Sequence, residues 1–297
     1  MKLLVRGLAV SLCAGVAAVS ASASDPVTWL SQARTAIGGE VATEAVTSLR
    51  VRGSIRRNIG SIATDSSWTM SWQSPDKFVI EQVQGMDMGP MGTRSVTRRN
   101  GFNGDQRIHE TVSDIPFPPM PASPVPEAKI VLGHKHSAAR LLLALLASPN
   151  VVAAYPLSDR APEPALFSPP GSNVVTMAGP DGERMRLALD AQTHLPAVVS
   201  WMGRPVVSFS TTSTAVVSSR GDVIRSTPPG TLPSGDPTAG MADVEYRMAL
   251  TEYKLDKGVQ WPRRLTTTIG DQAFEAVRVN RYEINPKISA RTFEVRK

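Results

Sequence analysis

Two observations predict an α+β fold. Apolar side chains alternate with period two through about eleven short segments separated by Gly, Pro, Asn and Asp turns, and only two or three stretches carry helical spacing. Consecutive strands with segregated helices give one large curved antiparallel sheet with the helices on a single face. Such a sheet has a concave face that it must fill, with its own helix or with a ligand.

The first element is an export signal, residues 1–24. Lys2 and Arg6 precede the apolar run Gly7 to Val19, and the small residues Ala21-Ser22-Ala23-Ser24 end it. The run is too short to anchor the chain in a membrane, and Leu12 precedes Cys13 where a lipidation site needs a small residue. Cleavage near Ala23 or Ser24 sends a soluble chain to the periplasm, with residues 25–297 expected as a single domain. Loss of Lys2, Arg6 and Cys13 lowers the formal net charge of +6 by two and leaves no cysteine. A disulfide scaffold, a Cys-ligated zinc and an Fe–S cluster are thereby excluded.

The mature chain opens on a helix. Asp25 caps it, Pro26 takes the first position, Trp29, Leu30, Ala33 and Ile37 share a face, and Gly38-Gly39 stop it. Strands follow. Leu49, Val51, Gly53 and Ile55 alternate with Arg50, Arg52, Ser54 and Arg56, with Arg56 and Arg57 read among solvent-facing positions. Trp68, Met70 and Trp72 share one strand face, and Phe78, Ile80 and Gln82 continue past the Ser74-Pro75-Asp76 turn. Asn100-Gly101 reads as a two-residue hairpin turn between Thr93–Arg99 and Phe102–His109.

Residues 115–126 (IPFPPMPASPVP) are too proline-dense for a sheet interior and are expected as a loop insertion or lid. Ser137 then caps an apolar helix, Ala138 to Ala147. It is too short to span a bilayer and is hydrophobic nearly all round, so the protein should enclose it. Strands are expected at Asn173–Ala178, Arg184–Asp190, Ala197–Met202, Val206–Ser218, Val244–Leu255, Trp261–Ile269 and Ala273–Glu283, with a Pro/Gly-rich loop at 227–240. Asn285-Pro286-Lys287 ends the sheet, and Phe293 packs back on it.

Four pieces of sequence now resemble one family: ARTAIGGEVATEAVTSLRVRG, SWQSPDKFVIE, LALDAQTHLPAVV and the closing TEYKLDKGVQWPRRLTTTIGDQAFEAVRVNRYEINPKISARTFE. They resemble periplasmic outer-membrane lipoprotein-sorting proteins of the LolA/LolB-like half-barrel superfamily. The recurrent motifs are a Ser-Pro-Asp-Lys-Phe turn, an Asp-x-x-Thr-x-Leu-Pro turn and a Gly-Val-x-Trp-Pro-Arg strand. The resemblance covers most of the mature chain and implies an unclosed half-barrel wrapped around helices, whose apolar interior receives acyl chains. It implies a non-catalytic carrier with no cofactor. Its partner would be a lipid or acylated lipoprotein, with an outer-membrane protein as a further partner. An alternative from the same superfamily is a sensor module binding an envelope protein.

The candidate cavity residues are Trp68, Met70, Trp72, Phe78, Ile80, Leu141, Leu142 and Leu145, each also readable as plain core. His134 and His136, at i and i+2 on a strand, would share a face for a metal, but nothing fixes a third ligand, so no metal is expected. There is no G-x-S-x-G elbow, P-loop or dinucleotide fingerprint. The scattered arginines form no block. Nucleic acid is therefore not an expected partner, transient contact with a membrane surface is compatible with the charge, and a monomer is expected.

Overall fold

The computed structural model describes residues 25–59, 62–87, 89–114, 125–149, 152–160, 167–205, 207–209, 215–218, 223–226 and 240–295. Residues 1–24, expected as an export signal, the proline-dense segment as far as residue 124 and segment 227–239 lie outside the described residues. Helices α1 (Pro26–Ile37) and α2 (Glu40–Glu44) lead into β1 (Ser48–Ile59), β2 (Ile62–Gln73), β3 (Lys77–Asp87), β4 (Thr93–Asn103) and β5 (Gln106–Ser113). Helix α3 (Glu127–Leu146) follows. The rest is strand: β6 (Ser158–Arg160), β7 (Ser172–Ala178), β8 (Arg184–Asp190), β9 (Pro196–Gly203), β10 (Val207–Phe209), β11 (Ala215–Ser218), β12 (Val223–Ser226), β13 (Val244–Asp256), β14 (Val259–Ile269) and β15 (Gln272–Ile284).

Twelve strands form one antiparallel sheet in the order β5-β4-β3-β2-β1-β15-β14-β13-β9-β8-β7-β6. Its two edges, β5 and β6, do not pair, so the sheet is an unclosed half-barrel. The last strand, β15, lies beside the first, β1, and Asn285 fixes that closure. Its Oδ1 accepts from Thr47 N at 2.7 Å and Ser48 N at 3.1 Å, while its Nδ2 donates to Ala45 O at 2.8 Å. A bulge between Arg52 and Gly53 bends β1 against β15. A Cβ on Gly53 would lie 2.1 Å from the Arg278 carbonyl oxygen, so only glycine fits this approach.

The concave face carries the core. Alternate positions of β1 and β2 point inward, burying Leu49, Val51, Ile55, Trp68, Met70 and Trp72. Helix α1 adds Leu30, Ala33 and Ile37, with Asp25 Oδ1 accepting from Val27 N at 3.4 Å as its cap. Helix α3 lies against β4, β5, β8 and β9 and buries every residue from Leu142 to Leu146. Ring stacking ties the closing strands together: Trp261 lies 4.5 Å from Tyr282, whose hydroxyl donates to Pro262 O at 2.6 Å. The convex face has a small core of its own, in which Ile288 and Phe293 cover Val79 and Ile108. Beside it, buried Arg99 donates to Glu110 at 2.5 Å and to Thr292 O at 2.6 Å.

Three expectations are corrected. Asn100-Gly101 is not a turn: both residues lie within β4, and the hairpin turns at Gly104-Asp105 instead, with Gly104 at φ 62°. Gly101 is needed for close approach, because a Cβ there would sit 2.0 Å from Phe78 O and 2.7 Å from the Val79 Cα. The strand also has to continue so that Phe102 can bury its ring 5.9 Å from that of Phe78. The apolar helix starts eleven residues earlier than expected: Pro126 is the N-cap, and Ser137 Oγ donates to Gly133 O at 3.0 Å inside α3. Within the expected strand Val206–Ser218, the described residues form two strands, β10 and β11, paired antiparallel. They join β12 in a separate three-stranded sheet.

Gly101→Ala should therefore destabilise the protein at the upper end of the overpacking range, about 2–3 kcal/mol in chemical denaturation, with the m-value unchanged. A loss within a few tenths of a kcal/mol would contradict the backbone contact described here.

Candidate functional site

The concave face is filled along most of its length by α3, but one flank of that helix leaves room. A cavity of about 450 Å³ lies between the Gly133, Ser137, Arg140 and Leu141 side of α3 and the wall made by β9, β13, β14 and β15. Gly133 is exposed, and a Cβ built on it meets nothing within 4 Å. The volume falls within the ~300–1,000 Å³ typical of small-molecule sites. Its lining is apolar and aromatic, with a charged rim: Ile80, Leu141, Met248, Trp201, Tyr246 and Phe274, then Arg57, Glu275 and Arg204.

Strand register explains the rim. Met248, Thr267, Glu275 and Arg57 form one inward-facing row across β13, β14, β15 and β1. One level deeper the same row reads Leu250, Leu265, Val277 and Ile55, all buried. Arg57 shares the parity of Ile55, so it points into the concave face; Arg56 points out. Reading Arg57 as a solvent-facing partner of Arg56 is corrected by this parity. Inside, its Nη2 donates to Glu275 Oε2 at 2.6 Å and its guanidinium carbon lies 5.9 Å from the Phe274 ring centre.

On the helix side, Arg140 stacks 4.5 Å over Trp201, which itself lies 5.4 Å from Tyr246 at an interplanar angle of 6°. Arg140 donates from Nε and Nη2 to Glu183 Oε1, at 3.1 and 2.7 Å. This pair belongs to a polar cluster that ties α3 to the β7–β8 turn. His136 places Nε2 2.8 Å from Asp181 Oδ2 and Nδ1 3.0 Å from Glu183 Oε2. Buried Tyr155 donates to Asp181 and lies 3.2 Å from Glu183 Oε2. Burial pulls the His136 pKa below its ordinary value, opposed by Glu183 and Asp181. Burial would raise Asp181, but the Tyr155 hydroxyl, the Glu183 amide and His136 hold it below the usual carboxylate range.

His134 and His136 are on helix α3, not on a strand, so at i and i+2 they diverge. His136 faces the β7–β8 turn. His134 lies near Arg107 and His109 of β5, and its pKa falls to about 4, mainly because it is buried and secondarily because of those two neighbours. Among the described residues no group of three or more His, Asp or Glu side chains is placed to hold a metal ion, and no helix is long and apolar enough to cross a membrane.

Of the eight candidates named from sequence, Ile80 and Leu141 line the cavity. Trp68, Met70, Trp72, Phe78, Leu142 and Leu145 are buried in the continuous core beneath it. Sequence reasoning missed Gly133, Arg57, Glu275, Arg140 and the Trp201–Tyr246 pair. For Arg57 a signal existed: two adjacent charges on one strand cannot both face out.

No protein-family model matches the chain, and no curated protein matches it in sequence. Among solved structures, the chain is similar to a LolA superfamily protein from Nitrosomonas europaea, at 9% identity over 91% of this chain and 98% of that one, with a TM-score of 0.42. It is similar to a putative outer membrane lipoprotein-sorting protein domain from Vibrio parahaemolyticus, at 8% identity over 91% and 97%, TM-score 0.39. A DUF1329 family protein from Desulfovibrio piger gives 8%, 91%, 98% and 0.41.

Two predictions follow from the cluster and the buried histidines. Glu183→Gln leaves Arg140 without its counter-charge and should cost about 3 kcal/mol or more of unfolding free energy, with Arg140→Met recovering part of it in the double variant. A loss below about 1 kcal/mol would mean that the cluster is solvated. For His134, the folded-state pKa of about 4 lies below the ordinary 6.5. The unfolded chain therefore binds the proton first, so stability present above pH 6.5 is lost as pH falls toward 4. His136, also lowered, acts in the same direction. Thermal midpoints measured across that window should fall with pH, and His134→Leu should flatten the fall.

Proposed function

We propose that the chain is an exported, non-catalytic carrier that holds an acyl-bearing molecule against the concave face of its half-barrel, with residues 25–297 acting as one unit. The observation that carries this reading is the cavity of about 450 Å³ beside α3, walled by Ile80, Leu141, Met248, Trp201, Tyr246 and Phe274. An apolar groove that the protein's own helix fills only in part is suited to a flexible chain. Each methylene it removes from water contributes about 0.8 kcal/mol, so a long acyl chain binds without any covalent step.

The export signal read in residues 1–24 supports a periplasmic setting, where free lipids and acylated lipoproteins are the available cargo. The resemblance of the turn motifs supports the same cargo class. Helix α3 and the ligand share one concave face, so uptake and release need only small shifts of the α3 flank around Gly133.

Gly133 gives a test that separates binding from folding. Because nothing lies within 4 Å of a Cβ at Gly133, the side chain of Gly133→Leu starts in open space at the cavity wall. It should also gain about 0.8 kcal/mol of helix propensity. The variant is expected to melt no lower than the parent protein yet to take up a fluorescent fatty acid at least ~tenfold more weakly, a loss of about 1.4 kcal/mol. Native mass spectrometry of the protein from a bacterial periplasm should show an acyl species that solvent extraction removes. A clean apo mass together with unchanged uptake by Gly133→Leu would overturn the reading.

A further inference from the structure

We infer that the cavity, if it holds acyl cargo as proposed above, takes a single-chain amphiphile with one anionic head, and not a lipid with two or three chains. This rests on the carrier reading and narrows it. The first argument is volume. A cavity of about 450 Å³ lies in the lower half of the ~300–1,000 Å³ range of small-molecule sites, the scale of one chain and not of two or three. Beneath it, Trp72, Phe78, Leu142 and Leu143 are fully buried in close-packed core, so a second chain has no room without displacing α3.

The second argument is the charge at the rim. A lining built only for hydrocarbon would continue the Leu250, Leu265, Val277, Ile55 row outward. Instead the next row places Arg57 and Glu275 inward, where a charged pair gives up hydration that a hydrophobic pair would not need. Arg57 and Arg140 are arranged alike. Each lies over an aromatic ring, Phe274 or Trp201, and each turns Nε and Nη2 to one carboxylate oxygen. That leaves the Nη1 side of each guanidinium directed away from its carboxylate. Stacking fixes the plane of a guanidinium while keeping its in-plane donors available, the geometry that suits a carboxylate or phosphate head. Arg204 adds a third guanidinium to the same rim. The chain would lie along Ile80, Leu141 and Met248, with the head between Arg57 and Arg140.

Competition against a bound fluorescent fatty acid tests this with five probes: palmitate, lysophosphatidate, hexadecanol, a dipalmitoyl phosphatidylglycerol and a tripalmitoyl lipopeptide. Palmitate and lysophosphatidate should compete, distinguishing carboxylate from phosphate by which is tighter. Hexadecanol should be weaker by on the order of tenfold to a hundredfold, the range of a charge-assisted hydrogen bond. The two multi-chain lipids should not compete. The double variant Arg57→Gln, Glu275→Gln removes one of the rim guanidiniums together with its carboxylate and should lower the palmitate-to-hexadecanol preference several-fold. Hexadecanol equal to palmitate on the parent protein, or a lipopeptide that displaces the probe better than palmitate, would overturn the inference and leave the carrier reading standing. Failure of the fluorescent fatty acid and of all five probes to bind would instead remove the carrier reading itself.

Discussion

The half-barrel depends on one constraint: an open antiparallel sheet exposes an apolar concave face, and α3 is what covers it. Twelve strands bend around that helix, and residues Leu142 to Leu146 are buried on every side. A helix this apolar cannot stand in water, and a concave sheet cannot stay empty, so each stabilises the other. Their mutual position is fixed by polar contacts rather than by apolar packing alone. Arg140 and His136 reach the Asp181–Glu183 turn, Lys135 reaches Asp105 at 2.8 Å, and the Ala147 carbonyl accepts from Arg34 at 3.3 Å. Apolar contact is nondirectional; these bonds give the helix one register and hence give the cavity one shape.

The rest of the architecture keeps the sheet curved. The bulge at Gly53 and the Asn285 bridge between β15 and β1 act near the middle of the strand order, and the glycine contact at Gly101 acts beside the β5 edge. The C-terminal segment crosses the convex face, where Phe293 is buried and Arg99 is held between Glu110 and the Thr292 carbonyl. Curvature is thus supported from both sides, and the rim beside Gly133 is left as the place where the concave face is not filled. The cavity is a consequence of a glycine and a serine on α3 facing a wall of larger residues.

Much of this was legible in the chain. Period-two alternation marked β1, β2, β7, β8 and β13 to β15 to within a few residues, because half-buried strands carry their environment in their pattern. Local chemistry was equally readable: Asp25 caps α1, and Asp190 Oδ1 accepts from Gln192 N at 3.0 Å and Thr193 N at 2.7 Å in the turn before β9. Local rules misled where a distant partner decided. Asn100-Gly101 has the composition of a turn, yet the carbonyl of Phe78 in the neighbouring strand requires glycine there. The Gly-His-Lys-His segment read as strand ahead of a helix start because its polar side chains conceal the helical pattern. Lys135 and His136 have partners on other elements: Asp105 for Lys135, and Asp181 and Glu183 for His136.

By itself, then, the sequence determined the fold class, the strand-rich order, the enclosed helix and the chemical class of the concave lining. All of these follow from which side chains avoid water and at what spacing. Tertiary structure alone decided which of those apolar residues are core and which are wall. Trp68, Met70, Trp72, Phe78, Leu142 and Leu145 went to the core, while Ile80 and Leu141 reached the cavity. It also turned Arg57 inward and set Arg140 over Trp201. The physical reason is that burial depends on what packs opposite, and the residues opposite come from strands and a helix that are far apart in the chain.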